Sequence, residues 1–270
     1  MTADLSRFDG GIPEHYDRSL GRYIFVDYAA DLARRAAALS PQRVLELAAG
    51  TGIVSRRLRD ALPEAAGLVV TDLSTEMLDV AKTKFVAGED VEFQQANAME
   101  LPFVDGSFDL IVCQFGVMFF PDKTDSFGEA LCLLEPGGHY LFSVWGTLEE
   151  NPFARIAFDV ASSFFQENPP EFYRIPFSYH DTDEITVSLH SAGFSAVEVE
   201  TVRLKKIVPD YARFARGLVF GNPIAEEIRS RGGVEPEAVA DAIATALRAE
   251  FGAEPSAMPL LAHVVRATAS

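Results

Sequence analysis

Cysteine is scarce in this chain of 270 residues, with Cys113 and Cys132 its whole complement. Both lie inside apolar segments and neither belongs to a CxxC pair, so a disulfide framework is excluded and both are expected as reduced core residues. Basic residues are also few: 23 Lys and Arg stand against 40 Asp and Glu, a formal net charge of -17. Nucleic-acid binding rests largely on neutralising phosphates with Lys and Arg, so no large RNA or DNA partner is expected. The short clusters Arg56, Arg57, Arg59 and Arg203, Lys205, Lys206 read as solvated faces of a helix and a strand.

No uninterrupted apolar run approaches the ~18 residues that a membrane span requires. The opening MTADLSRFDGG also lacks a basic region followed by an apolar one, so the expected location is the cytoplasm and no membrane partner is expected. Metal-binding patterns are absent too. Without HExxH or a His/Asp cluster at ligand spacing, no metal site is expected. Without GxSxG, serine hydrolysis lacks its nucleophile elbow. No internal repeat or low-complexity tract occurs.

What is present is alternation. Apolar runs at 43–47, 67–72, 91–95, 108–113 and 138–145 read as strands, with helices beginning near Gly52, Glu76 and Lys123, the pattern of an α/β sheet covered on both faces. Gly88 is the expected stop of the second helix, and the chain turns sharply around Pro136, Gly137 and Gly138. Residues 147–181 then hold six Phe, two Tyr and four Pro, too many breakers for another strand-helix unit, and read as an inserted cap. Order resumes at Asp181, whose spacing to Glu184 resembles a capping box, in a helix ending at Gly193. A strand follows near 196–203, and Pro236 opens a helix with Val239, Ile243, Leu247 and Phe251 on one face. The tail returns to the sheet as a final strand. The organisation expected is one domain over 1–270, with a core at 41–146 plus strands near 196–203 and 258–268, and cap segments at 1–36, 147–181 and 206–256.

The most informative stretch is VLELAAGTG, residues 44–52, followed by Asp72 at the end of the next strand. Small residues let the backbone approach a ligand, where a β-carbon on Gly50 would intrude. Asp72 follows Gly52 by 20 residues, near the spacing at which a strand-end carboxylate meets ribose hydroxyls. A nucleoside cofactor is the first expectation.

Four ordered segments then narrow the choice: VLELAAGTG, VVTDLSTEMLDVAKTK, NAMELPFVDGSFDLIVCQFGVMFFPD and LCLLEPGGHYLFSVWG, which together cover about residues 43–146. In these the sequence resembles the Rossmann-like S-adenosylmethionine-dependent methyltransferases, in the branch related to quinone-biosynthesis and small-molecule methyltransferases. The resemblance implies a seven-stranded, mostly parallel sheet in the order 3-2-1-4-5-7-6 with the last strand antiparallel and helical cap insertions. It implies S-adenosyl-L-methionine as cofactor, with Glu46, Ala48, Gly50 and Gly52 at the loop, Glu46 and Gly50 facing the methionine moiety, and Asp72 on the ribose. Met77 has two readings, packing on the adenine or ribose face and plain core packing. Asn97 and Ala98 match the family's Asp-Ala pair at the adenine. Two departures stand out: Ala48 replaces the commonest first glycine, and Asn97 the frequent Asp, although an amide oxygen still accepts from an exocyclic amine. Gln114 and Phe115 hold the place nearest the methionine end and the transferring methyl, with satisfaction of backbone groups as the other reading for Gln114. Tyr16 and Tyr23, in HYDRSLGRYIF, are candidate lid contacts, with amphipathic packing equally open.

The implied activity is methyl transfer to an O, N or C nucleophile of a small, partly aromatic or apolar molecule. Displacement at a carbon on a positively charged sulfur needs alignment and dehydration more than an obligatory base, so no catalytic residue is assigned. His15, His139 and His180 are the titratable candidates should a base be used, while His190 and His263 read as structural. Two alternatives remain: a cofactor-binding protein without transfer activity, and a nicotinamide-dependent dehydrogenase. The second lacks a third glycine, because the loop continues as Ile53, Val54 and Ser55, and leaves NAMELPF unexplained. Oligomeric state is not readable from the sequence.

Overall fold

The computed structural model describes residues 12–270; residues 1–11 of the expected cap segment 1–36 lie outside the described residues. Five parallel strands form the scaffold: β1 (Arg43–Glu46), β2 (Gly67–Asp72), β3 (Val91–Gln95), β4 (Phe108–Gln114) and β5 (Leu134–Trp145). β6 (Ala196–Val208) and β7 (Ser256–Thr268) complete it in the order β3-β2-β1-β4-β5-β7-β6, with β7 antiparallel to both neighbours. This is the expected order. β1 reads as a short run of Val44 and Leu45 because both its faces are covered, which is what a central parallel strand requires.

The last two strands run past the expected limits. Their pairing continues from Ala196↔Thr268 through Val208↔Ser256. Lys205 and Lys206, expected on a solvated strand face, lie within this extension; Lys205 is exposed on this edge strand, whereas Lys206 is partly buried and paired with Asp27 of the helix 26–38 at 2.7 Å.

Helices cover both faces. On one side α3 (Val26–Ala38) and α4 (Ile53–Ala61) pack Ala29, Leu32, Val54 and Leu58 over Val44, Val70 and Val112. On the other, α6 (Lys123–Leu133), α7 (Pro152–Ser163), α8 (Thr182–Ala192), α9 (Tyr211–Phe220), α10 (Ile224–Arg231) and α11 (Pro236–Phe251) share a second core with Ile111, Phe142 and Val265. Ahead of α3 the chain runs through α1 (Ile12–His15), a π-helical turn at Tyr16–Gly21 and α2 (Arg22–Ile24).

Local chemistry sets the helix ends. α5 (Thr75–Lys82) starts where the Ser74 hydroxyl accepts from the Met77 amide, and α8 where the Asp181 carboxylate accepts from the Asp183 and Glu184 amides. α5 does not reach Gly88 as expected. Thr83 closes it first, with its amide and hydroxyl both donating to the Val80 carbonyl. α8 ends as expected at Gly193, at φ 110°.

Two smaller expectations are corrected. Cys113 is buried but Cys132 is exposed, because about 100° of helix rotation per residue turns it away while Ala130 and Leu133 face the core. Arg59 is buried rather than solvated, donating to the carbonyls of Leu62, Pro63, Ala66 and Asp90 and so fastening the α4–β2 and β3 loops. No described helix is long and apolar enough to cross a membrane.

Candidate cofactor and acceptor cavity

A large cavity opens at the C-terminal ends of β1, β2 and β4, where open α/β sheets bind ligands. Its floor is the loop after β1. Ala48, Gly50 and Gly52 all adopt left-handed backbone, at φ 51°, 55° and 78°. Ala48 holds this conformation despite its β-carbon, a strain of roughly 1 kcal/mol. The Ala49 amide donates to the Thr71 carbonyl at 2.9 Å and the Thr71 hydroxyl to the Glu46 carbonyl at 2.7 Å, which lashes the loop to β2.

Asp72 organises the rim. Its Oδ2 accepts from the Gly50 amide at 2.7 Å and its Oδ1 from the Ser74 amide at 2.8 Å. Burial raises its pKa, and these backbone donors oppose that rise by favouring the ionised form. Met77 also lines the cavity, as do Leu73 and Ala96.

Of the residues singled out by sequence, Tyr16, Ala48, Gly50, Asp72, Met77, Asn97, Ala98, Gln114 and Phe115 all line this cavity. Three do not. A β-carbon at Gly52 would stand 2.7 Å from the Ala81 Cβ, so this glycine permits close packing on α5. Tyr23 is buried edge-on against Phe214, 5.2 Å between ring centres, behind the wall rather than in it. Glu46 is 1% exposed and shares the strand face of Val44, on the α4 side beside Ser55. Burial pushes its carboxyl up to about 8, with Ser55 acting against the rise and Asp72 adding to it.

Asn97 also differs from expectation. Its Oδ1 accepts from the Met99 amide at 3.0 Å and so shapes its own loop, leaving one lone pair for a ligand.

The far wall is aromatic. Phe115, at φ 53°, stacks on Trp145 with 4.0 Å between centres and 7° between planes, and Tyr28 meets both rings edge-on. Phe153, Phe172, Tyr173 and Phe177 of the 147–181 insertion face the cavity, whereas Phe158, Phe164, Phe165 and Tyr179 do not. Tyr16 stacks on Phe25 at 5.1 Å and closes the side near Asp72. Burial, then Asp72 and Asp17, raise its hydroxyl pKa, which keeps it neutral.

Sequence reasoning missed several lining residues: Leu20, Ile24 and Phe25 ahead of α3, Trp145, Phe119 and Phe120, and Leu218 and Asn222 at the end of α9. Trp145 had a usable signal in its place at the end of a strand. Leu218 and Asn222 belong to no motif and reach the cavity through tertiary packing alone.

None of the five histidines lines the cavity. His139, His180, His190 and His263 bond through Nδ1 to Thr268, Phe177, Phe194 and Thr201 respectively, and His15 is exposed beside Phe220. Among the described residues there is no group of three or more His, Cys, Asp and Glu able to hold a metal ion.

The residues present fit a sulfonium nucleoside. A β-carbon at Gly50 would meet no described atom within 4 Å, so the loop fronts open space there. Gln114 Oε1, which lines the cavity, is a buried acceptor without a partner among the described residues, as a ligand's ammonium would need.

Comparison with known proteins agrees with this geometry. A sequence model of the ubiE/COQ5 methyltransferase family matches residues 24–167. The chain is 38% identical over 107 residues to a demethylmenaquinone methyltransferase of Deinococcus radiodurans, covering 39% of this chain and 44% of that one. It is 27% identical over 222 residues to a demethylmenaquinone methyltransferase of Clavibacter sepedonicus, covering 73% and 88%. In fold it is similar to the YcgJ protein of Bacillus subtilis, with a TM-score of 0.59 and 19% identity over 90% of this chain and 98% of that one. The first of these matches thus spans less than half of the relative's length. Because the family match extends over more than half of the sequence, the chain belongs to the ubiE/COQ5 methyltransferase family.

Proposed function

We propose that this protein transfers the methyl group of S-adenosyl-L-methionine to a small, uncharged, aromatic or quinone-like acceptor. One observation carries the reading: a single cavity has the Gly50–Asp72 loop as one wall and an aromatic cage as the other. A cofactor end and an acceptor end therefore share one water-poor space.

When bound, the cofactor supplies a methyl group already activated by a positively charged sulfur. The chain's own task is to hold and orient. Asp72 would accept from the ribose hydroxyls while keeping the Gly50 amide in place. Met77, Asn97 and Ala98 would flank the adenine. Gln114 Oε1 would accept from the methionine ammonium, while Glu46, which burial keeps protonated near neutral pH, supports the loop from behind. Phe115, held by its amide donating to the Ser143 carbonyl at 3.0 Å, stands where methyl and acceptor meet. The stacked Phe115 and Trp145 rings keep this part of the wall apolar and exclude water, which favours in-line approach of an uncharged nucleophile. Tyr16 closes the cofactor side. Gly52 and Tyr23 support these walls from outside the cavity.

The same reading treats residues 1–270 as one domain whose insertions roof the sheet. The acidic composition supports a free small molecule in the cytoplasm as the partner rather than nucleic acid or a membrane surface. Incubation with methyl-labelled cofactor and a metabolite extract tests the proposal. Label in a small organic product is expected, and repeated absence of labelled product would favour a cofactor binder without transfer activity.

A further inference from the structure

The acceptor end of the cavity is apolar except where the 147–181 insertion meets the end of α9. There Tyr173 and Asn222 line the wall beside Leu218 and Phe177. Both are buried, Asn222 at 6% exposure.

Their donors converge on one atom. The Leu218 carbonyl belongs to the last turn of α9 and has no partner further along the helix. The Tyr173 hydroxyl donates to it at 2.7 Å and Asn222 Nδ2 at 3.0 Å. This fixes the amide's orientation, because a flipped Asn222 would set an oxygen against a carbonyl. Sharing this acceptor holds the Tyr173 and Asn222 side chains against each other. What remains is Oδ1, to which no described residue donates, on a side chain that lines the cavity. The wall thus presents a fixed hydrogen-bond acceptor within an aromatic enclosure.

We propose that Asn222, braced by Tyr173 and the Leu218 carbonyl, reads the methyl acceptor by accepting a hydrogen bond from its hydroxyl or N–H through Oδ1. This rests on the methyltransferase reading and deepens it. The acceptor it selects is a planar, uncharged ring carrying a donor, and the bond fixes the edge of that ring turned toward the methyl. A ring whose donor is blocked leaves Oδ1 buried and unpaired, which is a penalty as well as a lost contact.

Calorimetric titration of the protein saturated with S-adenosylhomocysteine tests this with a matched pair, 1-naphthol and 1-methoxynaphthalene, which differ in whether the oxygen carries a hydrogen. The wild type is expected to prefer the naphthol by about tenfold, the scale of one hydrogen bond and its unpaired penalty. Asn222→Ala should bring the ratio close to one while leaving affinity for S-adenosylhomocysteine unchanged. Tyr173→Phe keeps Oδ1 but removes its brace, and should reduce the preference severalfold, which keeps the test decisive if Asn222→Ala does not fold. An unchanged preference in a variant that still binds S-adenosylhomocysteine overturns the proposal. So does a wild type that binds S-adenosylhomocysteine but neither aromatic, or both equally. A wild type that does not bind S-adenosylhomocysteine overturns the methyltransferase reading, and this proposal with it.

Discussion

The Asp72 carboxylate accepts from the Gly50 amide at 2.7 Å across the mouth of the cofactor end, joining the tip of β2 to the loop after β1. One side chain therefore shapes the glycine loop and, in the proposed reading, would meet the ribose. Asp72→Ala should weaken binding of S-adenosylhomocysteine by roughly 1 to 3 kcal/mol, the scale of lost charge-assisted bonds. Calorimetry on folded protein checks this; unchanged affinity would remove Asp72 from the cofactor site.

Gly50 and Gly52 should respond differently to the same substitution. Both have positive φ, so alanine costs each about 1 kcal/mol or more in backbone strain. At Gly52 the new methyl would also lie 2.7 Å from Ala81, whereas at Gly50 it would meet no described atom and project into the ligand's space. Gly52→Ala should chiefly lower the melting temperature, and Gly50→Ala chiefly the affinity for S-adenosylhomocysteine. Thermal melts with and without ligand separate the two.

Glu46 gives a pH signature. Its carboxyl titrates near 8 in the folded chain against 4.5 when unperturbed, chiefly through burial. Between those values the native state holds a proton that the unfolded state has released, so this group's contribution to stability falls as pH rises through the window. Glu46→Gln cannot ionise and should gain stability relative to wild type as pH increases from 5 to 8. Denaturant melts across that range check it; a constant difference would show that Glu46 ionises normally.

Lys84 and Asp17 meet at 2.5 Å, each less than a third exposed, and tie the turn carrying Tyr16 to the segment after α5. Such a pair is worth up to about 1 kcal/mol. Lys84→Met should speed release of S-adenosylhomocysteine by up to about fivefold with little change in melting temperature, and high salt should narrow the difference. Stopped-flow release measurements check this, and equal rates at low salt would contradict it.

Strand order and most of the loop that floors the cavity were legible because they depend on local pattern: apolar runs of strand length, glycines at left-handed positions, and a carboxylate at a strand end. Asp72 and Gly50 are of this kind. Gly52 was misplaced because a glycine needed for helix packing and one needed for a ligand look alike in sequence; only the nearness of Ala81 tells them apart. Asn222 and Leu218 were invisible for another reason. They reach the cavity because α9, more than 60 residues after β5, folds back over the sheet, a long-range placement without a periodic or motif signature. The aromatic insertion was legible as a cap, but which of its rings face inward depends on the turns between them.

The most direct test of the central claim is a pair of calorimetric titrations on the wild-type protein, one with S-adenosylhomocysteine and one with NAD. Saturable one-site binding of S-adenosylhomocysteine and none of NAD is predicted. Tight NAD binding without any for S-adenosylhomocysteine would contradict the account.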